Sequence, residues 1–397
     1  MEKRARPTTI TSTPRPRNRK AQIVAAAGDL FYRQGYHNVS TGQIADSVGI
    51  TAGALYRHFD SKQDLLAHAL IDAFDQALTF VQDEAPADLD AMVHGLATTA
   101  GTRRPLGVLW NREARHLDVE RRTLIRSRFF AFLSQFNEHL GVSRPELTAA
   151  DAELLSWSAL GVLTSPSYHS TAMDSPAIVD LLQKVTVAVC SSPIESRNAA
   201  HRVEPEQAGG LRSTNRRESI LAAATQLFYK HSYPNVSMDE IGAEVGMTSA
   251  GVYKYFDSKG ELLSAVITRA SEPLQLGLTG ALNAARTPAE GLNNALDAYI
   301  DFAMVHHDLV GILISEVTNL PESQRHNVRR AQRDYAEEWI RLLSDSRPEL
   351  QERQARFLVH AVLAIVNDVT RTSQMLQRPA LGEELRMIGR RALSVDL

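Results

Sequence analysis

The sequence predicts an all-α chain of two repeated units, each a small helical head followed by a larger helical body. Three observations carry this reading. Residues 19–66 recur without a gap at 216–263, at a constant offset of 197, with 23 of 48 aligned pairs identical. Apolar positions in both blocks fall at helical spacing between capping residues. The remainder repeats more faintly at an offset of 203, where SRPEL at 143–147 returns at 346–350 and Glu113, Leu117, Arg122 and Arg126 return as Glu316, Leu320, Arg325 and Arg329. The period is about half the chain, so each unit is a set of domains and not one turn of a solenoid. The change of offset implies a six-residue insertion in the second copy, between about 67 and 106.

The elements follow in order. Ile23, Ala26, Ala27, Leu30 and Phe31 line one face of a first helix, as Ile220, Ala223, Ala224, Leu227 and Phe228 do in the second copy. Ser40-x-x-Gln43 and Ser237-x-x-Glu240 have the capping-box pattern and open a second helix, whose inner pair is Ile44 with Val48 or Ile241 with Val245. Gly49 and Gly246 stop it, because glycine enters the left-handed cap conformation without strain. Thr51 and Thr248 then cap a short helix running through Tyr56 and Phe59, or Tyr253 and Phe256. A further box, Ser61-x-x-Asp64 or Ser258-x-x-Glu261, starts a fourth helix. The bodies at 67–191 and 264–397 read as helical throughout, with breaks near Pro86, Gly141 to Pro145 and Pro166, and near Pro288, Pro321 and Pro348.

The expected divisions are a disordered basic arm (1–18), a first head (19–66), a first body (67–191), a linker (192–215), a second head (216–263) and a second body (264–397). Seven Lys and Arg against one acid in residues 1–20 make the arm a candidate for minor-groove or phosphate contact. A net charge of -3 argues against indiscriminate coating of nucleic acid. One cysteine, Cys190, leaves no intrachain disulfide and no cysteine zinc site. The N-terminus lacks a signal-type apolar run, and the most apolar later stretch, 357–366, is too short to span a bilayer. A cytoplasmic protein with no membrane contact is expected.

Two short helices joined by a glycine turn form a helix-turn-helix, whose second helix lies in the major groove of DNA while flanking groups hold phosphates. The candidate DNA contacts are Thr41, Thr51, Ala52, Gly53, Tyr56, Arg57, His58 and Lys62 in the first head. In the second they are Thr248, Ser249, Ala250, Tyr253, Lys254, Tyr255 and Lys259. Small residues at the helix start admit the backbone to the bases, and the Tyr, Arg, Lys and His side chains supply donors. Lys62 and Lys259, in the first turn of the next helix, are expected to meet phosphates. Phe59 and Phe256 are expected in the core.

GITAGALYRHFDSKQDLL and GMTSAGVYKYFDSKGELL, each preceded by an A-x-x-L-F helix, resemble the recognition-helix signature of the TetR (tetracycline-repressor) family. The resemblance is specific over the two 48-residue blocks and architectural beyond them. It implies two TetR-like units, each with a three-helix DNA-binding head and a body that pockets a small molecule. It also implies that the family's usual homodimer forms here as an intrachain pseudo-dimer, with the seam on about 149–165 with 175–191 and 352–377 with 381–394; further dimerisation stays open. The implied function is a small-molecule-responsive repressor of neighbouring genes. The second copy departs from the first at Ala250-Gly251 and Pro234, and its head carries no net charge over 212–263 where the first carries +3 over 15–66. Since Arg57-His58 and Lys254-Tyr255 differ, the operator is expected to be an imperfect palindrome whose halves are read by different heads.

Trp110, Arg112, His116, Phe129 and Phe130, with Arg115 nearby, are the candidate lining of a pocket for one mainly apolar effector per chain. His306-His307 lacks a second ligand pair at i+4, so no metal is expected. No phosphate loop, H-E-x-x-H or G-x-S-x-G motif is present, so neither a cofactor nor an enzyme is implied. The competing reading is a helix-turn-helix-derived module for protein interaction or ligand binding without DNA regulation.

Overall fold

The computed structural model describes residues 19–83, 89–102, 104–169, 171, 173–194 and 214–397; the basic arm, Pro86 and most of the linker lie outside the described residues. Within them the chain is helical, with no strand. The first unit runs α1 (Arg19–Gln34), α2 (Thr41–Ser47), α3 (Ala52–Leu55), α4 (Lys62–Asp83), α5 (Leu89–Thr102), a short α6 (Leu106–Val108), α7 (Val119–Ser143), α8 (Ala149–Thr164) and α9 (Ser175–Cys190). The second runs α10 (Arg216–His231), α11 (Met238–Glu244), α12 (Ser249–Val252), α13 (Lys259–Ala284), α14 (Pro288–Val305), α15 (His307–Ser315), α16 (Glu322–Ser346), α17 (Glu352–Thr370) and α18 (Leu381–Leu393).

The local signals act largely as expected. Ser40 and Ser237 close reciprocal boxes with Gln43 and Glu240, and Gly49 and Gly246 both adopt φ 67°. Ser61 and Ser258 cap Asp64 and Glu261, but each acid reaches the amide of the preceding aspartate, Asp60 or Asp257, rather than that of the serine. α7 continues through Gly141 to Ser143, Pro288 occupies the first turn of α14, and Pro273 sits inside α13 without ending it. Helices α4 and α13 each run unbroken from head into body, so the step expected after residue 66 or 263 falls within a helix. α13 is 26 residues long against 22 for α4.

The SRPEL repeat has a structural cause. Arg144 donates to the carbonyls of Cys190 and Ser192 at 2.6 and 2.9 Å, and Arg347 to those of Leu393 and Val395 at 2.8 and 3.0 Å. Each arginine thereby satisfies orphan carbonyls where the last body helix ends.

The two units pack on each other along α8 and α17, with α9 against α18. Leu155 and Val162 of α8 and Leu358 and Ile365 of α17 are all fully buried in one apolar core that runs through both bodies. At the crossing Gly161 lies so near α17 that a Cβ there would stand 2.7 Å from the Ile365 Cα. Across the same seam Arg378 reaches Asp151 at 2.7 Å and the Ala150 carbonyl at 2.8 Å. Each head keeps its own apolar core, which includes Phe59 or Phe256 as expected.

Three histidines, buried His169 and half-buried His116 and His360, are held neutral. His169 stacks on His360 of the other unit at 4.8 Å; burial and the other cations nearby hold His169 well below the usual histidine range. Burial and Arg356 press His360 to about 4, while burial with His37 and the arginines beside it presses His116 to about 3. In the unfolded chain these groups titrate near pH 6.5, so as pH falls below that value the unfolded state takes up protons that the folded state refuses. Stability should drop through the window from about pH 6.5 to 4, by roughly 2 kcal/mol at pH 5 for each of His116 and His360, with His169 acting in the same direction. Urea unfolding at pH 7 and pH 5 checks this, and an unchanged midpoint would count against buried neutral histidines.

Candidate nucleic-acid interface and ligand cavity

In each head the turn after Gly49 or Gly246 delivers a short helix capped by Thr51 or Thr248, whose hydroxyls accept from the Ala54 and Gly251 amides at 3.2 and 3.3 Å. Leu55 and Phe59 anchor α3 from beneath, as Val252 and Phe256 anchor α12. What remains faces outward. Thr51, Ala52, Gly53, Tyr56, Arg57 and His58 are exposed, as are Thr248, Ala250, Tyr253, Lys254 and Tyr255, while Ser249 is half-buried. Among the described residues, Arg57, His58, Tyr253, Lys254 and Tyr255 make no side-chain hydrogen bond or ion pair. Tyr56 differs, because its hydroxyl lies 3.1 Å from Thr41 Oγ1 and ties α3 to α2. The position of Thr41 is Met238 in the second copy, where no such tie exists.

Lys62 and Lys259, expected at phosphates, also bond carbonyls within their own heads. Lys62 Nζ donates to the Val39 carbonyl at 2.7 Å and lies 4.2 Å from the centre of the Tyr36 ring. Lys259 Nζ donates to the Tyr233 and Val236 carbonyls at 2.8 and 2.7 Å, over the Tyr233 ring. Burial lowers both ammonium pKa values, so these cations are held inward, bracing the 3₁₀ turns Tyr36–Asn38 and Tyr233–Asn235. Arg19 and Arg216 brace the far side by donating to the Val48 and Val245 carbonyls at the end of α2 and α11.

A buried glutamate fastens each head to a body. Glu113 accepts the Tyr36 amide at 2.9 Å and is paired with Arg112. Arg112 also donates to the Phe31 and Tyr32 carbonyls near the end of α1, at 3.3 and 2.8 Å. Glu316 takes the Tyr233 amide at 3.4 Å, and its arginine is Arg115 of the first unit, at 2.6 Å. Sequence comparison matched Glu113 with Glu316 without assigning either a role.

A cavity of about 390 Å³ lies in the first body and is completed by residues of the second unit. Phe74, Trp110, Phe129 and Trp157 form its aromatic end, with Trp110 stacked on Phe129 at 4.8 Å. Two of the five expected lining residues, Trp110 and Phe129, therefore line it. Three do not. Arg112 turns to α1, and His116 packs on Tyr36 and His37 near Glu113. Phe130 is 47% exposed beneath Arg126. The cause is a π-helical turn at Leu109–Glu113, whose extra residue rotates Arg112 off the cavity face while Trp110 and Asn111 point in. Phe130 was legible, since Phe129, Phe132, Leu133 and Phe136 already define the buried stripe of α7.

The second body holds a smaller cavity, about 260 Å³, at matching positions. There Ser271, Leu313, Gln332 and His360 replace the four aromatics, and Tyr299, Tyr335 and Asn367 add polar groups. Among the described residues no group of three or more His, Cys, Asp or Glu could hold a metal, and no single helix is long and apolar enough to cross a membrane.

Comparison with known proteins agrees with this geometry. The family of bacterial regulatory proteins of the TetR type matches residues 23–69 and again 220–266, and a tetracyclin repressor-like C-terminal domain matches 285–371. The transcriptional activator FasR of Mycolicibacterium smegmatis is 34% identical over 136 residues, 32% of this chain and 61% of that protein. The repressor KstR2 of Rhodococcus jostii is 27% identical over 125 residues, 30% of this chain and 58% of that protein. The chain thus spans between about half and three fifths of the length of these curated relatives. A TetR-family regulator from Bordetella parapertussis has a solved structure that aligns with 46% of this chain and 93% of its own at 19% identity, TM-score 0.41. With its head matched twice and a family body besides, the chain is a tandem member of the TetR family of bacterial regulatory proteins.

Proposed function

We propose that the protein is a sequence-specific, DNA-binding transcriptional regulator in the cytoplasm, a repressor of neighbouring genes that leaves its operator when a small molecule enters a body. The observation that carries this is the pair of outward helix starts whose donors, Arg57 with His58 and Lys254 with Tyr255, find no partner among the described residues. Unpaired donors above a small-residue helix start suit base edges and phosphates. The names of two relatives, an activator and a repressor, point to transcription in either direction; release on ligand binding favours repression. Because the two helices carry different side chains, the operator is an imperfect palindrome with one half for each head, and the pair of heads belongs to one chain.

A gel-shift assay with the DNA upstream of the gene tests the reading. A shift competed by the same unlabelled DNA but not by random DNA is the expected result, and equal competition by both contradicts it. Lys62→Ala should weaken binding by destabilising the head, about 1.5–3 kcal/mol for a lost charged hydrogen bond, and leave the salt dependence nearly unchanged. A salt slope lower by about one would instead restore a direct phosphate contact.

A further inference from the structure

The first-body cavity is built by both units. Besides the aromatics its lining wall includes Arg104, Arg115, Lys230 and Arg371 against one acid, Asp368; Tyr229 and the exposed Lys230 belong to α10 of the second head, and Ser232 caps the end of that helix. Asp368 is already paired with Arg371 at 2.8 Å. Cations therefore exceed anions in this wall, which makes it complementary to a ligand that brings a negative charge.

Arg115 joins that wall to the second head. Its Nη1 donates to Glu316 Oε1 at 2.6 Å and to Ser232 Oγ at 3.2 Å, while Glu316 also holds the Tyr233 amide. Ser232, at φ 68°, is the one non-glycine among the described residues with positive φ; its counterpart is Gly35, at φ 84°. A serine kept in a strained backbone conformation where the other copy has glycine marks its hydroxyl as used. The converse latch is missing. Thr318 stands at the position of Arg115, and Glu113 is satisfied by Arg112 and the Tyr36 amide of its own unit.

Resting on the reading of a ligand-responsive regulator, we infer that this cavity takes an amphipathic monoacid, an aromatic or branched apolar body bearing one carboxylate, and that its occupation frees the second head and not the first. The carboxylate competes with Glu316 for Arg115. Glu316, 1% exposed, then keeps a buried charge without its cation, and the second head yields to bring it to water. Linkage requires the converse, that engagement of the second head on DNA weakens the acid.

The test uses the full chain with naphthalene-2-carboxylate and, as neutral control, naphthalene-2-carboxamide. Tryptophan fluorescence reads binding, since Trp110 and Trp157 line the cavity. The acid is expected to bind at least tenfold tighter than the amide, and Arg115→Gln to remove the preference. Ser232→Gly suits the backbone, keeps the fold and removes one latch contact, so the acid should bind it several-fold tighter than the parent. Hydrogen exchange with saturating acid should rise in 216–256 and stay unchanged in 19–59. Equal binding of acid and amide, no binding of either, or exchange rising in the first head or in both would overturn the inference. No readout needs DNA, so failure here leaves the regulator reading standing, and failure of the gel shift leaves this latch testable.

Discussion

Gly161→Val is expected to prise the two units apart and to lower the stability of the whole chain by at least about 3 kcal/mol, the upper end for an overpacked core. The first atoms a side chain would meet are backbone: the Ile365 Cα at 2.7 Å, its nitrogen at 2.9 Å and the Ala364 carbonyl carbon at 3.2 Å. None can rotate away, so α8 and α17 must separate. Separation opens the core that Leu155, Val162, Leu358 and Ile365 close. Urea unfolding should show an earlier midpoint or a split transition. A variant that unfolds at the parental urea concentration would mean that this crossing does not hold the units together.

Glu113→Ala is expected to release the first head from its body at a cost of about 3–5 kcal/mol, because removing one partner of a buried charged pair leaves the other uncompensated. Glu113 is 2% exposed and holds the Tyr36 amide and the Arg112 guanidinium, and Arg112 in turn holds the end of α1. Amide exchange over 19–59 should accelerate by about a hundredfold or more, the factor that corresponds to roughly 3 kcal/mol, with 216–256 little affected. Equal acceleration in both heads, or in neither, would place the head–body anchor elsewhere.

The heads were legible because their signals are local. Ser40 with Gln43, Gly49 and Thr51 each act within a few residues, and a gapless repeat shows every one of them twice. The seam was expected from the family resemblance, and Leu155, Leu160 and Val162 match Leu358, Leu363 and Ile365 at the offset of 203, so both segments carry the same apolar stripe. The cavity was only half legible. Aromatic residues advertise Trp110 and Phe129, but the π-helical turn that moves Arg112 away leaves no pattern in composition. The polar wall depends on pairs such as Asn111 with Asp368, at 3.2 Å, and Arg115 with Glu316, each more than 200 residues apart in the chain. Nothing short-range announces such pairs. The Lys62 contact was not legible, since a cation in the first turn of a helix suits a phosphate and a neighbouring carbonyl equally well, and only the fold brings Val39 to it.

If two heads of one chain read the two halves of one operator, the mass of the protein–DNA complex is that of a single chain on the duplex. Light scattering of the full chain on its operator duplex should give one 43.8 kDa chain per duplex. Footprinting of the Arg57→Ala variant on the same duplex should then show altered protection in one half only. Two or more chains per duplex, with both halves changing together, would contradict the account and put a four-headed assembly in its place.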